Sequence, residues 1–404
     1  MNPIVIIRTD GNPEIATGHV IRCCTIAEEL KKKGADVCFA VSDNDSAALI
    51  HKTAPSFPVK VVGIDYRHPD EEISLGNYEL SVMYSMENTL SAQNFHSDPV
   101  ADMILVDSYF ATADWIAALH HISKVAVIDD LMRDDFSVDL VINYDIDPQI
   151  SFYKKAGRIL SGASYAPLRP QFASAAESYK VRNEVRNILV TTGGTDPYNV
   201  AGRLVLSLCG SDNICKSNAC RTGSSTPSVL SGLTIHIVSG ALNSHLDELG
   251  ALADDGSTAP RSFDVPDPCA VHVALHTDVT DMASLMASCD IAVTAGGTTL
   301  YELCAVGVPT LTFSMADNQL SDTYAFNEAC AAIYCGDMRP PADNPGITTG
   351  SDLETLDMLT DKVNMLCARG SLGARASLHR AMRALTDGLG AGRIVDAILG
   401  IIKD

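Results

Sequence analysis

Ile4-Val5-Ile6-Ile7-Arg8-Thr9-Asp10-Gly11-Asn12-Pro13, and shortly after it Thr17-Gly18-His19-Val20, is the stretch on which the fold turns. Four consecutive apolar residues read as a strand buried on both faces, and the turn formers from Thr9 to Pro13 end it. From Val20 onward the apolar period changes. Cys23 or Cys24, Ala27 and Leu30 recur at helical spacing, and Gly34 stops the helix. Strand, turn and amphipathic helix make the first half of a βαβ unit. The alternation continues with Val37–Val41, Met103–Val106, Val125–Ile128 and Leu140–Ile142. Strands this uniformly apolar belong to a parallel sheet covered on both faces.

The pattern starts again after a polar stretch, Ala173 to Arg186, which is the expected domain boundary. Ile188-Leu189-Val190 leads to Gly193-Gly194, Ile235–Val238 to Ser239-Gly240, and Ile291-Ala292-Val293 to Ala295-Gly296-Gly297, with a further strand at Pro309–Phe313. The expectation is an α/β protein of two Rossmann-like domains facing a cleft. Residues 1–172 form the domain carrying the candidate catalytic histidine. Residues 187–404 are expected to form the second domain, with insertions near 210–232 and 250–267 that are rich in Ser, Gly, Asp and Pro and are expected as surface loops. A length of 404 residues suits two or three domains.

Charge and cysteine usage exclude whole classes of function. With 29 basic against 50 acidic side chains, the net charge of −21 argues against a broad electrostatic grip on nucleic acid or an anionic membrane. An anionic ligand must then be held by local devices such as helix N-termini and a few arginines. A 46% hydrophobic composition excludes wholesale disorder. The 12 cysteines include no C-x-x-C pair, so structural zinc is not expected. Cys38, Cys289 and Cys304 sit in apolar runs as core residues of a reducing compartment. Cys209, Cys215 and Cys220 form only a loose cluster. No run approaches a membrane span, and the N-terminal apolar run is too short for a signal peptide, so a cytoplasmic protein is expected. The oligomeric state is not legible.

Ligands of open parallel sheets bind beyond the carboxyl ends of the strands, and three glycine-bearing turns fall there. At Thr17-Gly18-His19, Gly18 permits close backbone approach, the first amides of the helix attract an anion, and His19 stands beside whatever that anion is attached to. A packed or capping histidine is the plainer reading. Paired Gly193 and Gly194, in Thr192–Pro197, let amides meet a phosphate or simply make a tight turn. Gly296-Gly297-Thr298-Thr299 at a helix start suits a diphosphate, and Glu302, one turn later, suits ribose hydroxyls or merely complements the dipole. Gly388-x-Gly390-x-Gly392 follows a helical pattern and reads as a turn between helices. Asp129-Asp130 reads as strand-end and capping residues rather than a metal site. No G-x-S-x-G, Walker or H-E-x-x-H sequence occurs.

Together these stretches resemble a family. Arg8-x-Asp10, Gly18-His19-x-x-Arg22-Cys23, Val106-Asp107-Ser108-Tyr109, Ile128-Asp129-Asp130-Leu131, Ile142-Asn143, Gly162-x-x-Tyr165-x-x-Leu168-Arg169-x-x-Phe172, Gly193–Pro197, Ala295–Thr299-x-x-Glu302 and Ala316-Asp317-Asn318-Gln319 all fit it. The chain resembles the UDP-2,4-diacetamido-2,4,6-trideoxy-β-L-altropyranose hydrolases of pseudaminic acid biosynthesis, a family similar in fold to the lipid II N-acetylglucosaminyltransferase, of GT-B type. The resemblance implies that His19 is the general base activating water at the anomeric carbon, with inversion and loss of UDP. It implies that Gly18, Gly296 and Gly297 meet the diphosphate, Glu302 the ribose, Asn318 and Gln319 the sugar or phosphates, and Tyr109 the sugar. It implies no metal and no cofactor. Arg22 and Arg169 are either diphosphate contacts or partners of acidic neighbours. The family has glycine where Ala16 stands, and it lacks the two insertions; its relatives also accompany other nonulosonate and spore-coat sugar pathways. Two rival readings remain: a UDP-sugar glycosyltransferase of the same fold, and a non-catalytic nucleotide-sugar binding protein.

Overall fold

The computed structural model describes residues 2–12, 15, 17–76, 83, 101–209, 230, 232–240, 242–253, 271–340 and 350–404. Ala16, Cys215, Cys220 and nearly all of both expected insertions lie outside these residues. The chain divides into two units, Met1–Arg169 with Gly388–Asp404, and Pro170–Asp387.

The first unit runs β1 (Ile4–Thr9), α1 (Gly18–Lys32), β2 (Asp36–Val41), α2 (Asn44–Thr53), β3 (Val59–Val61), β4 (Met103–Asp107), α3 (Ala113–His120), β5 (Lys124–Ile128), β6 (Leu140–Asn143) and β7 (Arg158–Ser161). Its sheet has the order β3-β2-β1-β4-β5-β6-β7, parallel throughout. Val5, Ile6 and Ile7, with Ile104, Leu105 and Val106 beside them, are buried on both faces. This accounts for the continuous apolar runs. The chain leaves β1 in one direction and returns to its other side at β4, so the strand order reverses between them. There Thr9 pairs with Asp107, and the two strand ends open together.

The second unit runs α4 (Pro170–Ser178), β8 (Asn187–Thr191), α5 (Val200–Cys209), β9 (Thr234–Ser239), α6 (Leu246–Leu252), β10 (His272–Thr277), α7 (Met282–Ser288), β11 (Ile291–Ala295), α8 (Thr298–Val306), β12 (Thr310–Ser314), α9 (Leu320–Glu328), β13 (Ile333–Asp337), α10 (Gly350–Cys367) and α11 (Leu372–Leu385). Its order is β10-β9-β8-β11-β12-β13, again all parallel. The reversal falls between β8 and β11, where Thr191 pairs with Thr294. The Gly193-Gly194 and Gly296-Gly297 turns follow these two neighbouring strands.

Two boundaries differ from the sequence expectation. The first domain was expected to reach residue 172 and the linker to begin at 173. Instead the chain passes to the second unit after Arg169, and Pro170–Ser178 forms α4, which packs on α7 and α8. Proline at the first helical position and the buried Phe172 make this a helix despite its polar face. The second domain was expected to run to 404. Its last helix, α12 (Gly390–Lys403), belongs instead to the first unit, where it packs on α1. Ile394, Val395 and Ile398 are fully buried there, each worth about 1.5–3 kcal/mol of apolar transfer. The glycine motif at 388–392 only begins in the turn between helices, at Gly388; Gly390 and Gly392 lie in the first turn of α12, and Gly390 packs against the Tyr165–Ala166 backbone.

Candidate active site

In the first unit a pocket opens where the strand order reverses. Asp10, Ile15, His19, Asp107, Ser108, Tyr109 and Phe110 line it. β1 delivers Asp10, the first turn of α1 delivers His19, and the end of β4 delivers Asp107 to Phe110. Gly18 is exposed, and a β-carbon there would meet nothing within 4 Å, so no packing inside the chain demands glycine. Thr17 gives α1 no side-chain cap, which leaves the first amides of the helix to a ligand or water.

His19 is 5% exposed, and its Nδ1 lies 2.7 Å from Asp107 Oδ1. Arg22 clamps Asp107 with two bonds, Nε to Oδ2 at 2.5 Å and Nη2 to Oδ1 at 2.5 Å. Burial alone would push the Asp107 carboxyl up, but the Arg22 guanidinium and His19 hold it well below the usual carboxylate range. An ionised carboxylate can only accept and the Arg22 guanidinium, 3.0 Å from the same nitrogen, can only donate; the shorter 2.7 Å contact to Asp107 favours the imidazole proton on Nδ1, which leaves the lone pair on Nε2. Nε2 has no hydrogen-bond partner among the described residues. Tyr109 stands edge-on to the imidazole, ring centres 4.2 Å apart, and fixes its plane.

Of the two readings left open for Arg22, the structure shows the acidic partners. Besides Asp107, Nη1 donates to Asp130 Oδ2 at 2.6 Å and to the Tyr144 hydroxyl. Asp129 and Asp130 do follow the end of β5, but no helix starts there for them to cap: Asp129 accepts the Arg133 amide at 3.1 Å within the loop to β6, and Asp130 pairs with Arg22. In the sequence Asp107 stands out only as part of Val106-Asp107-Ser108-Tyr109 and carries no assigned role. Its pairing with His19 spans 88 residues, and no local spacing announces such a contact.

The second unit places its candidates at the carboxyl edge of its own sheet. Gly297 caps α8 with φ +122°, a conformation suited to glycine, and offers no side chain to the helix amides. A β-carbon on Gly296 would lie 2.7 Å from Thr323 Cγ2 and 2.9 Å from Gln319 Cβ, so glycine lets α9 approach this turn. Thr298 is exposed, Thr299 and Glu302 are half-buried on α8, and Asn318 is exposed on the turn before α9. Gln319 has a structural task as well, since its Oε1 accepts the Met315 amide at 2.8 Å. Gly193 and Gly194 are exposed, while Asp196 of the same turn is buried and accepts the amides of Val200 and Ala201. Among the described residues no group of three or more His, Cys, Asp or Glu is arranged to hold a metal ion. None of the described helices is long and apolar enough to cross a membrane.

MurG of Acinetobacter baumannii superposes with a TM-score of 0.60 at 13% identity, over 98% of this chain and 99% of that one. Staphylococcus aureus MnaA in complex with UDP superposes with a TM-score of 0.56 at 12% identity, over 100% of this chain and 98% of that one. The fold is of GT-B type. Among curated proteins, the spore coat polysaccharide biosynthesis protein SpsG of Bacillus subtilis (strain 168) is 25% identical over 394 residues, 96% of this chain and 95% of its own. The uncharacterized protein MJ1062 of Methanocaldococcus jannaschii is 21% identical over 317 residues, 76% of this chain but 54% of its own length. No protein-family model matches the chain.

Proposed function

We propose that this chain hydrolyses a UDP-linked 2,4-diacetamido-2,4,6-trideoxy sugar, releasing UDP and the free sugar for nonulosonate (pseudaminic acid) biosynthesis. The observation that carries the reading is the imidazole of His19, its Nδ1 bound to an ionised Asp107 and its ring lining a pocket beside Tyr109. Nε2 takes a proton from water as the water oxygen bonds to the anomeric carbon. The anomeric C–O bond breaks on the opposite face, its electron pair leaves on the diphosphate, and the configuration inverts. The imidazolium then returns its proton to solvent.

The second unit supplies the nucleotide side in this reading. Gly193, Gly194 and the amides of Gly296 to Thr299 at the head of α8 meet the diphosphate as its charge grows, while Glu302 takes the ribose. Asn318 and Gln319 meet the sugar or phosphates. Support comes from the motif resemblance along the chain, from SpsG as a relative concerned with polysaccharide biosynthesis, and from UDP in the MnaA complex. No metal is required by this chemistry.

The test is UDP release from UDP-sugars, with EDTA present and no acceptor. Hydrolysis is expected, and His19→Ala abolishes it while UDP still binds. Release only when an acceptor is added would make the chain a glycosyltransferase. Tight binding without turnover would make it a sensor.

A further inference from the structure

Asp130 is the second carboxylate on Arg22, and the reaction as written gives it nothing to do. Its Oδ2 lies 2.6 Å from Arg22 Nη1 and 3.2 Å from the Tyr144 hydroxyl, with the side chain 13% exposed. Arg22 and Asp107 are more deeply buried still, at 6% and 1%. Burial pushes the Tyr144 phenol and the Cys23 thiol up, so both stay neutral. The formal charges joined through Arg22 are therefore one cation against two anions.

A buried cluster with one excess negative charge is expensive unless something positive completes it. His19 is the neighbour that can, because its Nδ1 lies 2.7 Å from Asp107 Oδ1; Arg22 Nη2, 3.0 Å from the same nitrogen, opposes the charge, so a second carboxylate on that guanidinium matters. We propose that Asp130 is a positioning residue whose carboxylate, acting through Arg22, supplies the charge that the His19 imidazolium needs once it has taken the proton from water. The inference rests on the assignment of His19 as the base. With Asp107 alone, Arg22 would already be neutralised, and a protonated His19 would leave a net buried cation. With Asp130 present, proton uptake brings the cluster to neutrality. The other groups facing His19 do not substitute for it. Asp10, across the pocket, is tied to Arg8 at 2.6 Å, and that arginine also approaches Glu72, so this cluster too holds one excess carboxylate; but none of its groups is bonded to His19 or to Arg22. Tyr109 and Cys23 carry no charge.

The test is Asp130→Asn, with Asp130→Glu as the conservative variant. Losing the carboxylate disfavours the imidazolium, so the acid limb of the kcat/KM profile moves to lower pH. The weaker base lowers the plateau kcat by about three- to tenfold. KM and the affinity for UDP stay within about twofold, and D130E restores the profile. Histidine-labelled NMR of the substrate-free chain, with the His19 signal assigned by its loss in H19A, reads the same coupling without turnover. There the His19 titration moves to lower pH in D130N. An unmoved titration overturns the proposal even in an active enzyme, as does a raised KM with kcat preserved, which would make Asp130 a substrate contact. A moved titration in a chain that hydrolyses no UDP-sugar would sink the hydrolase reading and leave the coupling standing. Should D130N fail to fold, Tyr144→Phe loosens the same Asp130–Arg22 contact; it should shift the titration in the same direction by less, and no shift overturns the proposal.

Discussion

Asp107 fixes which nitrogen of His19 is the base, and Arg22 fixes the charge of Asp107. Asp107→Asn removes the charge and lets the amide donate to Nδ1, which would put the proton on Nε2. The expected result is a fall in kcat of about 100-fold or more with KM little changed, read by steady-state kinetics. A near-normal kcat would mean that the imidazole is oriented by something else. Because the folded carboxyl titrates below the ordinary carboxylate range, the stability of its ionised form is complete above about pH 4 and is lost only as pH falls through that depressed value. Any acid limb nearer neutrality therefore belongs to another group. His19, Gly18 and Arg22 were legible because they share one helix start. Their partners were not: Asp107, Asp130 and Tyr144 come from the ends of β4, β5 and β6, and only the strand order brings them to one arginine.

Strands were legible in proportion to how many neighbours they have. The apolar runs of β1, β2, β4, β5, β6, β8, β9, β11 and β12 mark strands paired on both edges. The sequence reading did not pick out β3, β7, β10 or β13, which are the four sheet edges. An edge strand is half-exposed, as in Arg158–Ser161 and His272–Thr277, so it needs no continuous apolar run and tolerates charge and histidine. The glycine turns were legible for a different reason, since a backbone in close approach leaves its mark in residue type. Gly296→Ala would press a methyl group on Gln319 Cβ, which is anchored by its neighbouring backbone and by the Met315 amide bond. If that turn holds the diphosphate, UDP affinity falls about tenfold, or about 1.4 kcal/mol, by titration calorimetry. An unchanged affinity would put UDP elsewhere.

The two-unit plan was legible from the restart of the pattern after residue 186, but the ownership of the last helix was not. An amphipathic helix announces a buried face without saying what covers it. Gly390 holds the answer in its surroundings, because a β-carbon there would lie 2.2 Å from the Ala166 carbonyl oxygen and 2.5 Å from the Tyr165 carbonyl carbon. Alanine would favour the helix by up to about 1 kcal/mol. The clash is with backbone that cannot move aside, so Gly390→Ala is expected to destabilise by about 1–3 kcal/mol, seen as a lowered Tm. A Tm at or above that of the parent would show that α12 can re-seat. The return of residues 388–404 also orders events during synthesis. Residues 1–169 leave the ribosome before residues 388–404, so they lack the helix that covers α1 until that later segment has been made. The second unit, translated entirely in between, has all of its own sequence earlier. The first unit is thus the later of the two to be completed, and through that interval the face of α1 that α12 covers is left open.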